Sequence, residues 1–436
     1  MPIPDNYRPM DGSIEIISKR LYFLPLSEDK RLQPNDNTCH CFTIDRDSSY
    51  AYENFVSDFG PLNISQTTRF CRKLKSMLEA PKYQGKVLYF VTGLNQYKRS
   101  NAACLICCFM LLELKKSVRD ICQIRHQISP HPLPFRDASS GVSTFPLYID
   151  DVVAGLYRAI VQGIFDYDDF SELHYDFYSQ VEHGDMSWIV PKKLLAFAGP
   201  CDPGQGPAAL GYFHCTPQDY VPYFKKHEIT DVIRLNRIHY NKHAFINENI
   251  EHHEMFYEDG ALPTPDIVKR FFEIVDNSVG AIGVHCRAGL GRTGSLICLW
   301  LMRNKGFSAR ESLGYIRLMR PGSVIGQQQH FLMDREPYMR NSSKNTQDNM
   351  QSGNGHRSHA PQRHLPQNMK PIISLTPPRT NKMINITERT EVGISPIPVA
   401  KLLKPKNMSP PRQNPNRMYF DENGNIIENA NRSHNR

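Results

Sequence analysis

Short apolar runs alternate with stretches of helical period over the first 165 residues of this 436-residue chain. The run KVLYFVTG, residues 86–93, reads as a buried strand bounded by a glycine. NAACLICCFMLLELKK, residues 101–116, is apolar on nearly every face and predicts a mostly buried helix. SVRDICQIRHQI, residues 117–128, predicts the next one. Strand and helix in alternation predict an α/β domain.

Residues 165–184, FDYDDFSELHYDFYSQVEHG, are acidic and aromatic and end at a glycine, which predicts a linker helix. A second α/β unit starts near Trp188. TDVIRLN and AIGV read as strands. TPDIVKRFFEIVDNSV predicts an amphipathic helix with Thr264 as N-cap and Pro265 at its first position. RTGSLICLWLMRNKG predicts a helix closed by Gly306, and SARESLGYIRLMRPG another with a Ser308/Glu311 capping box. Beyond about Tyr338 the apolar periodicity stops, and Asn, Ser, Pro, Gln and basic residues take over. The pattern predicts an N-terminal domain over 12–165, a linker helix over 166–187, a second domain over 188–340 and a disordered tail over 341–436. No repeat by period is visible, although the two α/β halves are expected to share a fold.

Charge changes this picture only in the tail. The formal net charge is +8, and fourteen Lys and Arg against six Asp and Glu lie from Asn341 onward. The first 340 residues hold 38 of each sign. A neutral pair of domains argues against nucleic acid and against an anionic membrane surface. The longest apolar run, residues 102–112, is too short for a membrane span, which takes about 20 residues. No signal peptide is read at the start, and most of the 11 cysteines suit reduced, buried thiols. Cys39 and Cys41 flank His40, but no second pair stands at zinc spacing, so no metal is expected. The chain reads as soluble and intracellular.

The chemistry is concentrated in AIGVHCRAGLGRTGSLICLW, residues 281–300. A strand ends at His285 and Cys286, a loop with glycines at 289, 291 and 294 follows, and a helix begins near Arg292. Such a loop lets successive N–H groups point inward, and the positive end of a helix dipole backs them. That makes an anion nest. A cysteine at its floor is favoured as thiolate. An arginine at its rim matches phosphate oxygens with a two-pronged fork. Cys-x5-Arg in this setting is the chemistry of a cysteine phosphatase that passes through a phosphocysteine, with Cys286 as nucleophile and Arg292 as clamp. The intervening Arg287, Ala288, Gly289, Leu290 and Gly291 would line the phosphate.

An alkoxide leaving group needs a general acid. MFYEDGALPTP places Asp259 ahead of the amphipathic helix, with Glu258 as the rival by proximity. Thr293 could donate its hydroxyl to the cysteine sulfur in the second step. Gln328 and Gln329, in RPGSVIGQQQHF, could orient the hydrolytic water.

These segments resemble the Cdc14 family of dual-specificity protein phosphatases. The resemblance is carried by HCRAGLGRTG, EDGALPTPDIVKRF, RPGSVIG with its glutamines, PFRDASSG, the NAACLI helix and HGDMSWIVP, from about Ile14 to Tyr338. It implies two tandem dual-specificity-phosphatase-like domains of which only the second retains catalytic residues. It also implies removal of phosphate from phosphoserine or phosphothreonine followed by proline, and from phosphotyrosine. Such activity would reverse cyclin-dependent kinases in mitotic exit and cytokinesis, in nucleus and cytoplasm or at the spindle or centrosome. Phosphoproteins are then the partners, and a homodimer stays open. The chain departs from the family where Arg287 stands for a lysine, Gln327 for a proline and His330 for a glutamine. In the family a basic residue near the target serine meets an acidic groove beside the linker, where Asp176 is the candidate here.

Two other readings use the same residues. A phosphoinositide phosphatase would carry extra lysines in the loop, where only Arg287 adds charge. A non-catalytic phosphopeptide adaptor would lack Cys286, Arg292 or Asp259, and all three are present. The tail adds Thr376 and Ser409, each followed by Pro-Pro-Arg, together with Ser395-Pro396 and the basic run KLLKPK at 401–406. Thr376 and Ser409 are expected kinase sites, and the basic tail is expected either to lie against the acidic linker or to serve as a nuclear address.

Overall fold

The computed structural model describes residues 7–26, 38–205, 208, 213–351, 419–420 and 426–427. They fall into two compact units, Met1–Arg357 and Ser358–Arg436. The first unit begins with β1 (Ile14–Ile17), β2 (Leu21–Pro25) and β3 (Cys39–Phe42). Next come α1 (Ile64–Glu79), β4 (Val87–Thr92), α2 (Gln96–Leu112), α3 (Val118–His126) and α4 (Ile149–Val161). The sheet order is β1-β2-β4-β3, with β2, β4 and β3 parallel and β1 antiparallel at the edge. Every residue of β4 is buried, as is every residue of α2 from Arg99 to Leu112. A parallel strand covered on both faces has no solvent side, which is why residues 87–91 carry no alternation.

The second domain follows α5 (Glu172–Tyr178). It holds β5 (Met186–Val190), β6 (Leu194–Phe197), α6 (Pro217–Lys226), β7 (Ile229–Arg234), α7 (His243–Ile246) and β8 (Glu251–Glu254). It continues with α8 (Pro265–Asn277), β9 (Ala281–His285), α9 (Gly291–Lys305), α10 (Ala309–Met319) and α11 (Gln327–Gln351). Its sheet runs β5-β6-β9-β7-β8, with β5 antiparallel and the rest parallel. The two sheets share one plan, since each has an antiparallel edge strand followed by three parallel strands. The middle parallel strand, β4 or β9, runs through a loop into a buried helix. The second sheet adds β8. The fold is thus two tandem α/β domains on one plan, with the Cys-x5-Arg loop after the middle strand of the second.

Local signals behave as the residue types require. Thr264 accepts from the Ile267 N–H, Ser308 and Glu311 form their reciprocal box, and Gly306 closes α9 at φ 65°. The linker differs from a single helix. Ser171 caps α5, which lasts seven residues, and a 3-10 turn covers Val181–His183. Gly184 and Asp185 then take positive φ, and β5 has already begun at Met186. Packing sets these limits. Arg72 bonds Glu172 at 3.0 Å, Arg69 pairs with Asp176, and the Tyr175 hydroxyl donates to the Met319 carbonyl at 2.8 Å. The backbone stays helical to Gln351, eleven residues past the predicted end of the second domain at 340. In the second unit the described residues are the antiparallel pairs Tyr419 with Ile427 and Phe420 with Ile426. Thr376, Ser395, Ser409 and residues 401–406 lie outside the described residues. Among the described residues no helix is long and apolar enough to cross a membrane.

The domains are joined face to face by α4 and α10. A Cβ on Gly155 would stand 2.2 Å from the Glu311 carbonyl oxygen, and one on Gly314 would stand 2.4 Å from that of Asp151. The two glycines let the helix backbones touch. Ion pairs flank the crossing, Arg310 to Asp151 at 2.9 Å and Arg158 to Glu311 at 3.3 Å. Gly155→Val should therefore destabilise the first unit by about 1–3 kcal/mol, the usual cost of overpacking. Urea denaturation measures it, and an unchanged midpoint would disprove the close crossing.

Candidate active site

β9 lies between β6 and β7, so its C-terminal end opens at the middle of the sheet. There the chain turns through Cys286 to Leu290 and enters α9 at Gly291. Each carbonyl from His285 to Arg292 has a donor. Leu235 N–H reaches the His285 oxygen at 2.9 Å and Gly199 N–H that of Arg287 at 2.9 Å. His285 Nδ1 lies 2.9 Å from the Cys286 oxygen. Arg320 serves two, with Nη2 to Ala288 at 2.8 Å and Nε to Gly289 at 2.9 Å. Leu290 accepts from the N–H groups of Gly294 and Val324. Ser295 Oγ donates to Gly291 at 2.8 Å, and the Tyr257 hydroxyl to Arg292 at 3.1 Å. In a trans peptide the C=O and N–H point opposite ways, so turning eight carbonyls outward turns the N–H groups into the hollow. Two glycines permit it. Gly289 has φ 65°, and a Cβ there would lie 2.2 Å from the Phe197 oxygen, while one on Gly199 would lie 2.3 Å from the Cys286 oxygen.

Cys286 is 3% exposed. Arg292 is as deeply buried, with Nη1 donating to the Tyr257 oxygen at 2.8 Å and Nη2 lying 3.1 Å from Asp259 Oδ1. Arg292 Nε and Thr293 Oγ1 are buried and have no partner. Two unpartnered donors beside inward N–H groups leave room for an oxyanion. Asp259, about half exposed, reaches over this hollow, whereas Glu258 is turned outward to Arg237 at 2.8 Å.

The glutamines are buried and occupied. Gln328 Oε1 accepts from Ile325 N–H at 3.2 Å and its Nε2 donates to the Ala261 oxygen at 3.3 Å. Gln328 thus ties its own loop to the Asp259 loop. Gln329 Oε1 accepts from Arg317 at 2.7 Å, and its Nε2 donates to the Gly326 oxygen at 3.2 Å. Cys286, Arg287, Ala288, Gly289, Leu290, Gly291, Arg292, Thr293, Asp259 and Gln328 come together. Asp176 lies apart in the chain on α5, where its half-exposed carboxylate pairs with Arg69 on α1.

Sequence reasoning missed the residues that hold the loop. Arg320 is 3% exposed and bonds Asp185 and Ser187 besides the two loop carbonyls. Arg317, fully buried, braces the next loop through the carbonyls of Ser323 and Val324. Their signal was two arginines three apart in the apolar stretch GYIRLMRPG. From the N-terminal domain, Asp137 accepts from Gly326 N–H at 2.7 Å. Burial alone would raise this carboxyl, but that N–H and the Ser139 and Ser143 hydroxyls outweigh it and hold it below the usual range.

A second network lies beneath Cys286. Its carbonyl can only accept, so His285 carries its proton on Nδ1. His285 Nε2 then accepts from the Tyr240 hydroxyl at 2.8 Å, and Tyr240 accepts from His252 Nε2 at 2.8 Å. Burial lowers both histidines to about 3, so both are neutral.

Comparison with known proteins adds the following. The family described as dual specificity protein phosphatase, N-terminal half, matches residues 15–159. The dual specificity phosphatase catalytic domain matches residues 211–336. The chain is 42% identical over 326 residues to the human (Homo sapiens) protein named dual specificity protein phosphatase CDC14A, covering 74% of this chain and 54% of that one. It is 36% identical over 333 residues to human CDC14C, covering 76% and 73%. It is 37% identical over 336 residues to the tyrosine-protein phosphatase CDC14 homolog of Schizosaccharomyces pombe, covering 75% and 61%. The chain spans about half the length of the CDC14A relatives it matches.

Two predictions follow from the geometry of the loop. Arg320→Ala frees two carbonyls to swing inward, so affinity for tungstate, a phosphate mimic, should fall at least about tenfold by calorimetry. Arg320→Lys should not restore it, because a point charge cannot span both carbonyls. Wild-type affinity in either variant would refute the bracing role. The second concerns acid. Below the ordinary histidine value of 6.5 the unfolded chain takes up protons that His285 and His252 refuse until about 3. Their contribution to stability is therefore complete above pH 6.5 and is lost as pH falls from there. His285→Asn, able to donate to the same carbonyl, should show a shallower loss between pH 6.5 and 4 in denaturant titrations, and an equal slope would exclude His285 as a source.

Proposed function

Because the chain belongs to the Cdc14 family of dual-specificity protein phosphatases, we propose that it hydrolyses phosphoproteins through a phosphocysteine on Cys286. The observation that carries this reading is the hollow itself. Eight outward carbonyls, a buried cysteine at the floor, and unpartnered Arg292 Nε and Thr293 Oγ1 make a receptor for a phosphoryl dianion. The Cys286 thiolate attacks phosphorus and the serine, threonine or tyrosine oxygen leaves. Asp259 protonates that oxygen, and its position on Arg292 supports the assignment over Glu258. Water then attacks the phosphocysteine, sulfur departs as the thiolate, and Thr293 stabilises it by donating a hydrogen bond. Gln328 fixes the acid loop over the site.

The finer reading is that phosphoserine and phosphothreonine before proline are the preferred targets, that phosphotyrosine is also cleaved, and that the enzyme opposes cyclin-dependent kinases in mitotic exit and cytokinesis. The family motifs support it. The same resemblance supports action in nucleus and cytoplasm. Matched phosphoserine-proline and phosphoserine-alanine peptides test the preference, and equal kcat/KM values would end it.

Cys286→Ser should abolish turnover while the fold and phosphopeptide binding persist. Asp259→Ala should cost about 10²–10⁴-fold on phosphoserine peptides and much less on aryl phosphates, whose phenolate leaves more readily. Glu258→Ala should do neither. If Glu258→Ala shows the substrate-selective loss and Asp259→Ala does not, the acid is misassigned.

A further inference from the structure

One loop of the N-terminal domain is anchored in that domain and ends against the catalytic machinery of the other. Phe135 and Leu147 exchange both backbone hydrogen bonds, at 2.8 and 3.0 Å, and so close the base of a loop over 136–146. Arg136 stiffens the loop from inside, since its Nη2 donates to the carbonyls of Ser139 at 2.9 Å and Gly141 at 2.8 Å. The loop meets α10 and α11 of the second domain. The Arg310 guanidinium sits 4.8 Å over the Phe145 ring, Phe145 meets the His330 ring edge-on at 5.6 Å, and Thr144 Oγ1 stands 2.9 Å from His330 Nε2.

Asp137 is the polar centre of this contact, and it is 2% exposed. Its Oδ1 accepts from Ser143 Oγ at 3.0 Å, within the loop, and its Oδ2 accepts from Gly326 N–H at 2.7 Å, across the domain boundary. Gly326 is left-handed at φ 55° and stands directly before α11, so the carboxylate also meets the positive end of that helix. Gly326 in turn carries the glutamines. Gln329 Nε2 donates back to its oxygen, and Gln328 is held between Ile325 N–H and the oxygen of Ala261, two residues past Asp259. Gln328 also packs on the catalytic loop, where a Cβ on Gly291 would stand 2.9 Å from its Oε1. One route of contacts therefore runs from Asp137 through Gly326, Gln328 and Ala261 to Asp259.

We infer that Asp137 is a positioning residue for proton transfer by Asp259, supplied by the domain that lacks the nucleophile. It touches no reacting atom. Without its carboxylate the Gly326 N–H loses its acceptor, the turn before α11 relaxes, and Gln328 no longer pins Ala261. Asp259 is about half exposed, so its place over the hollow depends on its loop more than on packing. The inference rests on the phosphatase reading. There Asp259 gives its proton to the leaving oxygen as the P–O bond breaks and the P–S bond forms. Its carboxylate then takes a proton from the water whose oxygen bonds phosphorus, while the P–S bond breaks and sulfur keeps the electron pair. A fixed acid loop serves both transfers. The catalytic loop itself is braced by Arg320, through bonds that do not pass through Asp137, so anion binding and proton transfer are separable.

The experiment compares the full chain as wild type, Asp137→Ala and Asp137→Asn, which keeps an oxygen for Gly326. On a phosphoserine peptide kcat/KM should fall about tenfold in Asp137→Ala, as for loss of one hydrogen bond to a charged group, and less than about twofold in Asp137→Asn. On an aryl phosphate, whose leaving group needs little protonation, both variants should stay within about twofold of wild type. Tungstate affinity by calorimetry should be equal in all three proteins. Hydrogen exchange gives a readout without turnover, and the amides of residues 258–262 and 325–329 should exchange about tenfold faster in Asp137→Ala alone. Equal losses on both substrates, or tungstate binding weakened in parallel, would make Asp137 a structural support only and overturn the inference. A wild-type phosphoserine rate in Asp137→Ala, an Asp137→Asn rate as low as that of Asp137→Ala, or unchanged exchange would overturn it as well. If wild type hydrolyses neither substrate, the phosphatase reading fails instead, and the exchange rates still decide whether Asp137 holds the acid loop.

Discussion

A loop that receives a phosphoryl dianion must keep its own carbonyls away from it, and most of the second domain is arranged to meet that demand. Eight consecutive carbonyls point outward, and the donors that hold them come from β9 itself, α9, α10 and the segments around Gly199, Leu235, Tyr257 and Val324. Each bond is modest alone, about 1 kcal/mol net, but a carbonyl left unpaired and turned inward would oppose an anion in the hollow. The central position of β9 matters for this reason, since only a middle strand has neighbours on both sides to supply donors.

The end of α10 carries much of this load. Arg320 fixes the catalytic loop and Arg317 the loop before α11, so one helix terminus sets the spacing between nucleophile and glutamines. The N-terminal domain takes part twice. It supplies Asp137 to Gly326, and it holds α10 through the glycine crossing of α4. A domain without the Cys-x5-Arg loop thus contributes to the geometry of the domain that has it.

With the hollow open, Asp259 rests on the guanidinium that would hold phosphate, and Gln328 ties its loop down through Ala261. A phosphoryl group would compete for the same guanidinium and release the carboxyl toward the leaving oxygen. The adjacent Glu258 points into solvent because Arg237 holds it there, so two neighbouring acids are separated by their partners alone.

The sequence by itself determined whatever depends on neighbours along the chain. Cys286, Arg292 and the glycines between them lie within one turn of backbone, so spacing alone defines the nest. The caps at Thr264 and Ser308 and the stop at Gly306 are equally local. The buried strands were visible because a strand covered on both faces has no polar positions. The tertiary structure alone decided the rest. Arg320 meets Ala288 across 32 residues and Asp137 meets Gly326 across 189, separations at which no pattern in the chain links the partners. The acidic and aromatic residues of the linker permit a single helix. Its seven-residue length is set by Arg69, Arg72 and Met319, which hold its side chains from outside. The same contacts give Asp176 an arginine partner, Arg69, that no sequence pattern announces. A side chain's role as free charge or as structural tie depends on who stands opposite it, and only folding brings that partner into place.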